Sequence, residues 1–458
     1  MTTTHPESTG GPPADIRDRL YAVLSGDDAE DRVCEAIPEG ACTDVPRNYL
    51  LNVANGACTK LAEQLASPGL VLPWLLAAIG APAGLVGFLA PIKQVGSLLP
   101  QLAVAAQIRR LARRKAAWVA AGIIQAGALA LMVPAAALLS PVAAGLAVVV
   151  LLAVFSTASG MGSVAFQDVT GKTIPKGRRG RMLANRAMIG GLLTLVAGAW
   201  LRFGLGEAPS VAPYLWLLGI AAGLWAAAAL LFGLIAEEPG ATEGGRNALD
   251  QAKQGVGLVR EVPGYRKYLT ARALLVPVEV AMPFYALHAH QLFGGAAAAL
   301  GVYVLAVGVA NVVSSPFWGQ FSDLSARRTM ALSSAIASAT AAIALGFGLL
   351  PEGWQTPWAY AVVFFILGIA VSGVRLGRKT YLVDGAPKDE RPLYVAFGNT
   401  AIGVVTLAAG GLGILAQVTS IELVIGVLLA LGAVGAVVSL AMPEADRMAD
   451  QTGTGTGG

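Results

Sequence analysis

Charge is the scarcest property of this chain: Asp, Glu, Lys and Arg make up 13% of its 458 residues, 55% are hydrophobic, and mean hydropathy is +0.64. A water-soluble domain needs more charge on its outside, so lipid is the solvent for most of the surface. Cysteine is almost missing, with Cys34, Cys42 and Cys58 alone, which gives a disulfide framework little support and a metal site less. Clustered Asp motifs for a metal and a diphosphate are absent, which argues against an embedded enzyme such as a prenyltransferase. No enzymatic activity and no cofactor are expected. The ten-residue alternation of barrel strands is lacking too, since runs such as 117–139 and 423–442 are apolar on every face. Residues 1–47 hold no secretory signal; this polar, acidic tail is expected in the cytosol, with Ile16, Leu20, Val23 and Leu24 spaced for one short amphipathic helix.

What is present is a dozen apolar runs of membrane-spanning length, separated by Gly, Pro or clustered charge. Six come first (48–80, 82–108, 116–139, 141–169, 183–205 and 213–236). A polar stretch at 237–267 follows, then six more runs (268–292, 296–318, 329–350, 358–383, 393–416 and 420–442) and a Gly/Thr-rich tail at 443–458. The expectation is an all-α integral membrane protein with twelve transmembrane helices. Its parts would be a cytoplasmic tail (1–47), a six-helix bundle (48–236), a cytoplasmic linker (237–267), a second six-helix bundle (268–442) and a disordered tail. A weak internal repeat supports the duplication: Ile174-Pro175-Lys176 matches Ala386-Pro387-Lys388, and Thr194-Leu195 matches Thr406-Leu407 at the same separation.

The net charge of +4 and the pI near 9.0 suggest nucleic acid only until the positives are placed. Lys and Arg gather at 109–115, 172–181, 327–328 and 378–391, all on one side of the predicted spans, and Arg202 is the exception on the other side. That asymmetry is the positive-inside signature; it puts both termini in the cytoplasm and makes the bilayer, not nucleic acid, the partner.

Polar side chains inside the runs are the candidate site, because charge at bilayer depth is costly. Asn48, Asn52, Asn55, Thr59 and Glu63 recur on one face of the first run, which is expected to look into a polar cavity, with Lys60 beside them. Lys93 and Gln94 sit half-way along the second run, Glu279 half-way along the seventh, and Arg375 in the tenth. Lys60 and Glu63, at i and i+3, fit either a structural ion pair or a substrate site. Arg186, Arg272, Arg378, Asp168 and Asp384 are expected near the interface, as snorkelling or latching groups, and His288 and His290 as polar caps. Lys60, Lys93 and Arg375, set against Glu63 and Glu279, favour a small anionic or zwitterionic substrate. Substrate binding is therefore expected at Asn52, Asn55, Lys60, Glu63, Lys93, Gln94 and Arg375. Proton coupling is expected first at Glu279, which has no basic neighbour in sequence, and second at Glu63. Pro68, Pro73, Pro277 and Pro283 interrupt the first and seventh runs.

Between the eighth and ninth runs the chain reads Gly319-Gln320-Phe321-Ser322-Asp323-Leu324-Ser325-Ala326-Arg327-Arg328. This resembles the cytoplasmic loop motif of the major facilitator superfamily, G-x-x-x-D-x-x-x-R-[RK], and the six-linker-six layout extends the resemblance over 48–442. In the first half Arg109 stands where Asp is expected, and the fifth run, from Met188, lacks the Gly-Pro motif of the superfamily's drug/proton antiporters. The resemblance implies two six-helix bundles that alternate access to a site between them, in a monomer of the plasma membrane (the inner membrane, in a bacterium). Gly319 would allow close helix approach there, while Asp323, Arg327 and Arg328 would latch the cytoplasmic face. It implies secondary transport, coupled to protons. The competing functions are efflux of amphipathic drugs or a lipid-like solute on the same fold, and a scaffold that binds a ligand without moving it.

Overall fold

Proline and glycine decide where the helices break. The computed structural model describes residues 16–25, 37, 42–175, 178–204, 210–239, 248–387 and 390–448, without the side chains of 99–107, 109, 180, 248–254, 391, 392 and 396. Most of the two expected tails, residues 240–247 of the linker, Cys34 and the repeat residues Lys176 and Lys388 lie outside that description. A short amphipathic helix α1 (Ile16–Ser25) precedes α2 (Val45–Leu65). There α2 stops, because Pro68 has no N–H to continue it, and α3 (Val71–Ala78) resumes the first run. Gly80, at φ 74°, then turns the chain into α4 (Ala83–Arg109); this left-handed backbone strains residues with a side chain. The first half continues through α5 (Lys115–Leu138), α6 (Pro141–Thr173), α7 (Arg179–Gly204) and α8 (Ala212–Gly233).

A linker helix, α9 (Ala248–Glu261), leads to α10 (Pro263–Val280), so the seventh run begins four residues before the expected end of the linker. It breaks at Ala281, between Pro277 and Pro283, and goes on as α11 (Met282–Phe293). Then come α12 (Ala297–Leu324), α13 (Ala326–Gly346), α14 (Pro357–Gly385), α15 (Arg391–Ala409), α16 (Gly411–Val418) and α17 (Ile421–Leu440). Ser325, Thr356 and Ser420 cap α13, α14 and α17 by accepting backbone N–H groups, which satisfies donors no helix can.

The architecture is an all-α, multi-span membrane fold: among the described residues, ten helical segments are long and apolar enough to cross a bilayer. The first two runs fall outside that set, because the first is polar and broken and the second is apolar only over Ala83–Leu98. Large apolar side chains such as Ile123, Val150, Trp216, Leu230 and Val437 are exposed on the outside, as a surface facing acyl chains requires. Within the first half α5, α6 and α8 pack together and α2 lies between α7 and α8; in the second, α12, α13, α14 and α17 do the same. The halves meet where α7 packs on α12 and α4 on α15 and α16. One sequence expectation fails near the start of the chain: Cys42 is disulfide-bonded, and Cys58 is a free thiol.

Candidate functional site

In the first half, Lys60 and Glu63 are one turn apart on α2 and form an ion pair of 3.1 Å. Lys93, on α4, lies 4.5 Å above the Phe155 ring and 3.5 Å from the Ser159 hydroxyl. The Glu63 carboxylate is within electrostatic reach of Lys60, Lys93 and Arg186. The amides behave otherwise. Asn48 exchanges two hydrogen bonds with the Ala236 backbone, Asn52 donates to the Asn48 carbonyl, and Asn55 donates to the Ala228 carbonyl at 2.9 Å. Arg186 closes the group, donating to the Asn52 carbonyl at 2.7 Å and to Asn55 Oδ1 at 3.2 Å. All three asparagines are fully buried. The Asn55 side chain, expected to bind substrate, therefore engages α8 and Arg186, because a desolvated amide in an apolar bundle needs partners. The Asn52 amide, expected in the same role, bonds only to its own helix, and its Oδ1 has no partner among the described residues. Arg186, expected at the interface, is interior.

In the second half, Glu279 carries the densest set of contacts. Arg378, one helix away, approaches its Oε1 at 2.9 Å, and Gln94, from the other half, donates to its Oε2 at 2.5 Å. The side chain of Glu279 is 6% exposed and that of Arg378 15%. Glu279 thus lacks a basic neighbour in sequence but not in space, and Arg378 belongs to the interior rather than the interface. Arg375 and Lys379 stand on either side of Arg378 on α14, exposed and with no hydrogen bond or ion pair among the described residues. Arg375 is within electrostatic reach of both Glu279 and Glu63, and Lys379 of both Glu279 and Lys60, so charged groups of the two halves lie near one another. Arg272 donates to Asn399 at 2.8 Å, an internal tie within the second half.

At the end carrying the basic loops, each half fastens itself. Glu237, just past α8, accepts the backbone N–H groups of Arg114 and Lys115 at 3.0 and 2.7 Å and pairs with Lys172 at 3.2 Å. Arg114 also pairs with Asp168 at 3.3 Å. Glu444, just past α17, accepts from the Ser325 hydroxyl and pairs with Arg327 at 2.6 Å, while Arg327 also donates to the Leu440 and Met442 carbonyls. Asp323 is exposed and makes no hydrogen bond or ion pair among the described residues, and a Cβ on Gly319 would meet nothing within 4 Å. In this arrangement Gly319 makes no close approach, and Arg327 pairs with Glu444 and not with Asp323. Arg328 contributes its backbone N–H to the Ser325 cap, and its side chain is exposed.

At the far end the halves fasten each other. Gly87 and Gly413 touch so closely that a Cβ on Gly87 would lie 2.4 Å from Gly413 Cα; Gly301 likewise admits the backbone of Arg202. Tyr214 donates to the Gly295 carbonyl at 2.7 Å, and the Gly84 N–H to Gln417 at 3.1 Å. Of the two histidines expected as caps, His288 is buried against the Tyr360 hydroxyl at 2.6 Å and His290 rests on Trp74 across the halves.

A family model described as Major Facilitator Superfamily matches residues 273–456. Over that stretch, the second half of the chain is similar to the major facilitator superfamily. At the level of fold the chain is similar to a D-xylose-proton symporter (TM-score 0.66, 11% identity, covering 87% of this chain and 98% of that one). It is also similar to the inward-open xylose transporter XylE from E. coli (0.62, 12%, 86% and 96%) and to the nucleoside transporter NupG (0.58, 11%, 86% and 99%). In sequence it is 29% identical over 417 residues to Uncharacterized protein Rv2209 of Mycobacterium tuberculosis, covering 87% of this chain and 78% of that one. A protein of Mycobacterium bovis matches over the same lengths.

Lys60, Glu63, Lys93, Gln94, Glu279 and Arg375 come near one another across the two halves, whereas the Asn55 side chain is engaged by α8 and Arg186. The residues missed in sequence are Arg378, Glu237 and Glu444, whose partners are about a hundred positions away. One signal for the last two was present: Glu237 and Glu444 occupy matching places just after the last helix of each half.

Proposed function

We propose that the protein is a twelve-span transporter with both termini in the cytoplasm, which moves a small organic anion or zwitterion by alternating access and couples it to protons. On this reading α2 with α3 and α4 supply the two spans beyond the ten that are long and apolar enough alone. The basic end is cytoplasmic, the far end is closed, and the cleft between the halves is reached from inside.

The observation that carries the reading is the position of Glu279: one carboxylate oxygen on Arg378 of its own half, the other on Gln94 of the opposite half. Ionised, a carboxylate only accepts, and it holds both partners; protonated, it gains an O–H, gives up the charge that holds Arg378, and releases a cation into the cleft. Protonation would therefore change the tie between halves and the charge offered to a substrate in one event. Proton movement and substrate movement are linked if the two ligands bias the same two-state element. Glu63, paired locally with Lys60, is the second candidate. The cations Lys93, Arg375 and Lys379 support an anionic substrate and disfavour efflux of cationic amphiphiles.

Glu279→Gln tests this, since the amide imitates the protonated side chain. In proteoliposomes the variant is expected to exchange substrate across the membrane yet lose accumulation driven by a pH gradient. Wild-type accumulation in the variant would remove Glu279 from coupling and pass the same test to Glu63.

A further inference from the structure

Both carboxylates of the cleft are already engaged, Glu63 by Lys60 and Glu279 by Arg378. Three cations have no carboxylate of their own among the described residues. Lys93 meets only the Ser159 hydroxyl and the Phe155 ring, and Arg375 and Lys379 have no hydrogen bond at all there. They are not on one wall. Lys93 belongs to the first half, while Arg375 and Lys379 share one face of α14 in the second, one turn apart and about 6 Å between Cβ atoms.

We infer that the substrate is a two-ended dianion, a molecule with one acidic group for Arg375 and Lys379 and another for Lys93; the inference rests on the anion-transport reading above. Unpaired positive charge in a lipid-embedded cleft is costly, and water alone compensates it poorly once the cleft closes. A single acidic group placed on Arg375 leaves Lys93 on the opposite wall uncompensated while the halves stand apart at the basic end. A molecule with an acidic group at each end compensates both. Arg375 suits a planar carboxylate or a phosphate, which its guanidinium grips with two parallel N–H groups, whereas Lys93 and Lys379 act as point charges. Because the two ends lie on different halves, such a ligand draws the halves together, and its binding energy favours closure of the basic end. A monoanion has no such differential affinity.

The full-length protein, purified in detergent, can be assayed by thermal shift and, in proteoliposomes, by counterflow with succinate, adipate, butyrate and inorganic phosphate at matched ionic strength. The dicarboxylates are expected to raise the melting temperature and to be exchanged, with butyrate and phosphate at least tenfold weaker. Lys93→Gln and Arg375→Gln should each weaken dicarboxylate binding by about tenfold, roughly the loss of one charge-assisted contact. Arg375→Lys should recover part of that loss, and unliganded melting temperatures show whether each variant is folded. Butyrate or phosphate binding as tightly as the dicarboxylates would overturn the two-ended substrate while leaving anion transport intact. So would dicarboxylate binding indifferent to a folded Arg375→Gln and Lys93→Gln. If none of the four anions binds or is exchanged, the anion reading itself falls.

Discussion

The two ends of the molecule are fastened on opposite plans. At the far end the halves hold each other, through the Gly87–Gly413 contact, the Tyr214 bond to Gly295 and the Gly84 bond to Gln417. At the basic end the described ties stay within a half: Glu237 secures α5 to α6 and α8, and Glu444 secures α13 to the end of α17. Two bodies each fastened internally at one end and, among the described residues, joined to each other at the far end and midway are able to rock. The internal fasteners preserve each body while the joint between them changes, as alternating access requires. Gln94 and Glu279 join the halves between the two ends.

Thiol labelling in intact cells, which is all or none, gives the comparison its sharpest test. Gly353 lies in an exposed turn at the far end and Arg328 is exposed at the basic end. On a cysteine-free background, Gly353→Cys is expected to react with an impermeant reagent from outside and Arg328→Cys is not. The reverse pattern would invert the orientation and turn the closed end toward the cytoplasm.

The next largest effect separates the two fasteners of the basic end. Glu237 is fully buried and accepts two backbone N–H groups besides Lys172, whereas Glu444 and Arg327 are 34% and 26% exposed and are linked through side chains. Glu237→Gln should cost about 3 kcal/mol, the low end for breaking a buried pair, because Lys172 keeps contact with water. Glu444→Gln should cost about 1 kcal/mol, as water screens the pair it breaks. Chemical unfolding of the two variants in detergent measures both. Equal losses would mean that burial does not distinguish the halves.

Much of this was legible in sequence, and the part that was not has a common cause. Pro68, Pro277 and Pro283 announced the breaks in the first and seventh runs, since a missing N–H acts locally. Lys93, Gln94 and Glu279 announced themselves by charge or polarity at bilayer depth. The asparagine stripe was ambiguous, because amides facing a cavity and amides bonded to the next helix, as Asn55 is to α8, have the same period of three to four residues; only the neighbouring helix distinguishes them. Pairings such as Glu279 with Arg378, or Arg114 with Asp168, depend on which helices touch, and that is set by packing rather than by any local pattern.

The smallest expected effect concerns the motif through which the loop resembles the superfamily. That resemblance casts Asp323 as a latch, so that Asp323→Asn would slow or stop transport. In this arrangement Asp323 is exposed and unpaired among the described residues, and Arg327 holds the loop through Glu444 and the last turn of α17. Neutralising an exposed, unpaired carboxylate removes no hydrogen bond, so Asp323→Asn should leave the melting temperature unchanged and the exchange rate within about twofold of wild type while the far end is closed. Arg327→Gln removes an ion pair and two bonds to carbonyls, and should slow exchange several-fold. If Asp323→Asn is instead the more damaging change, Asp323 acquires its partner only when the basic end closes; the latch then belongs to the opposite state of the cycle, and the contrast between the two ends holds for one state alone.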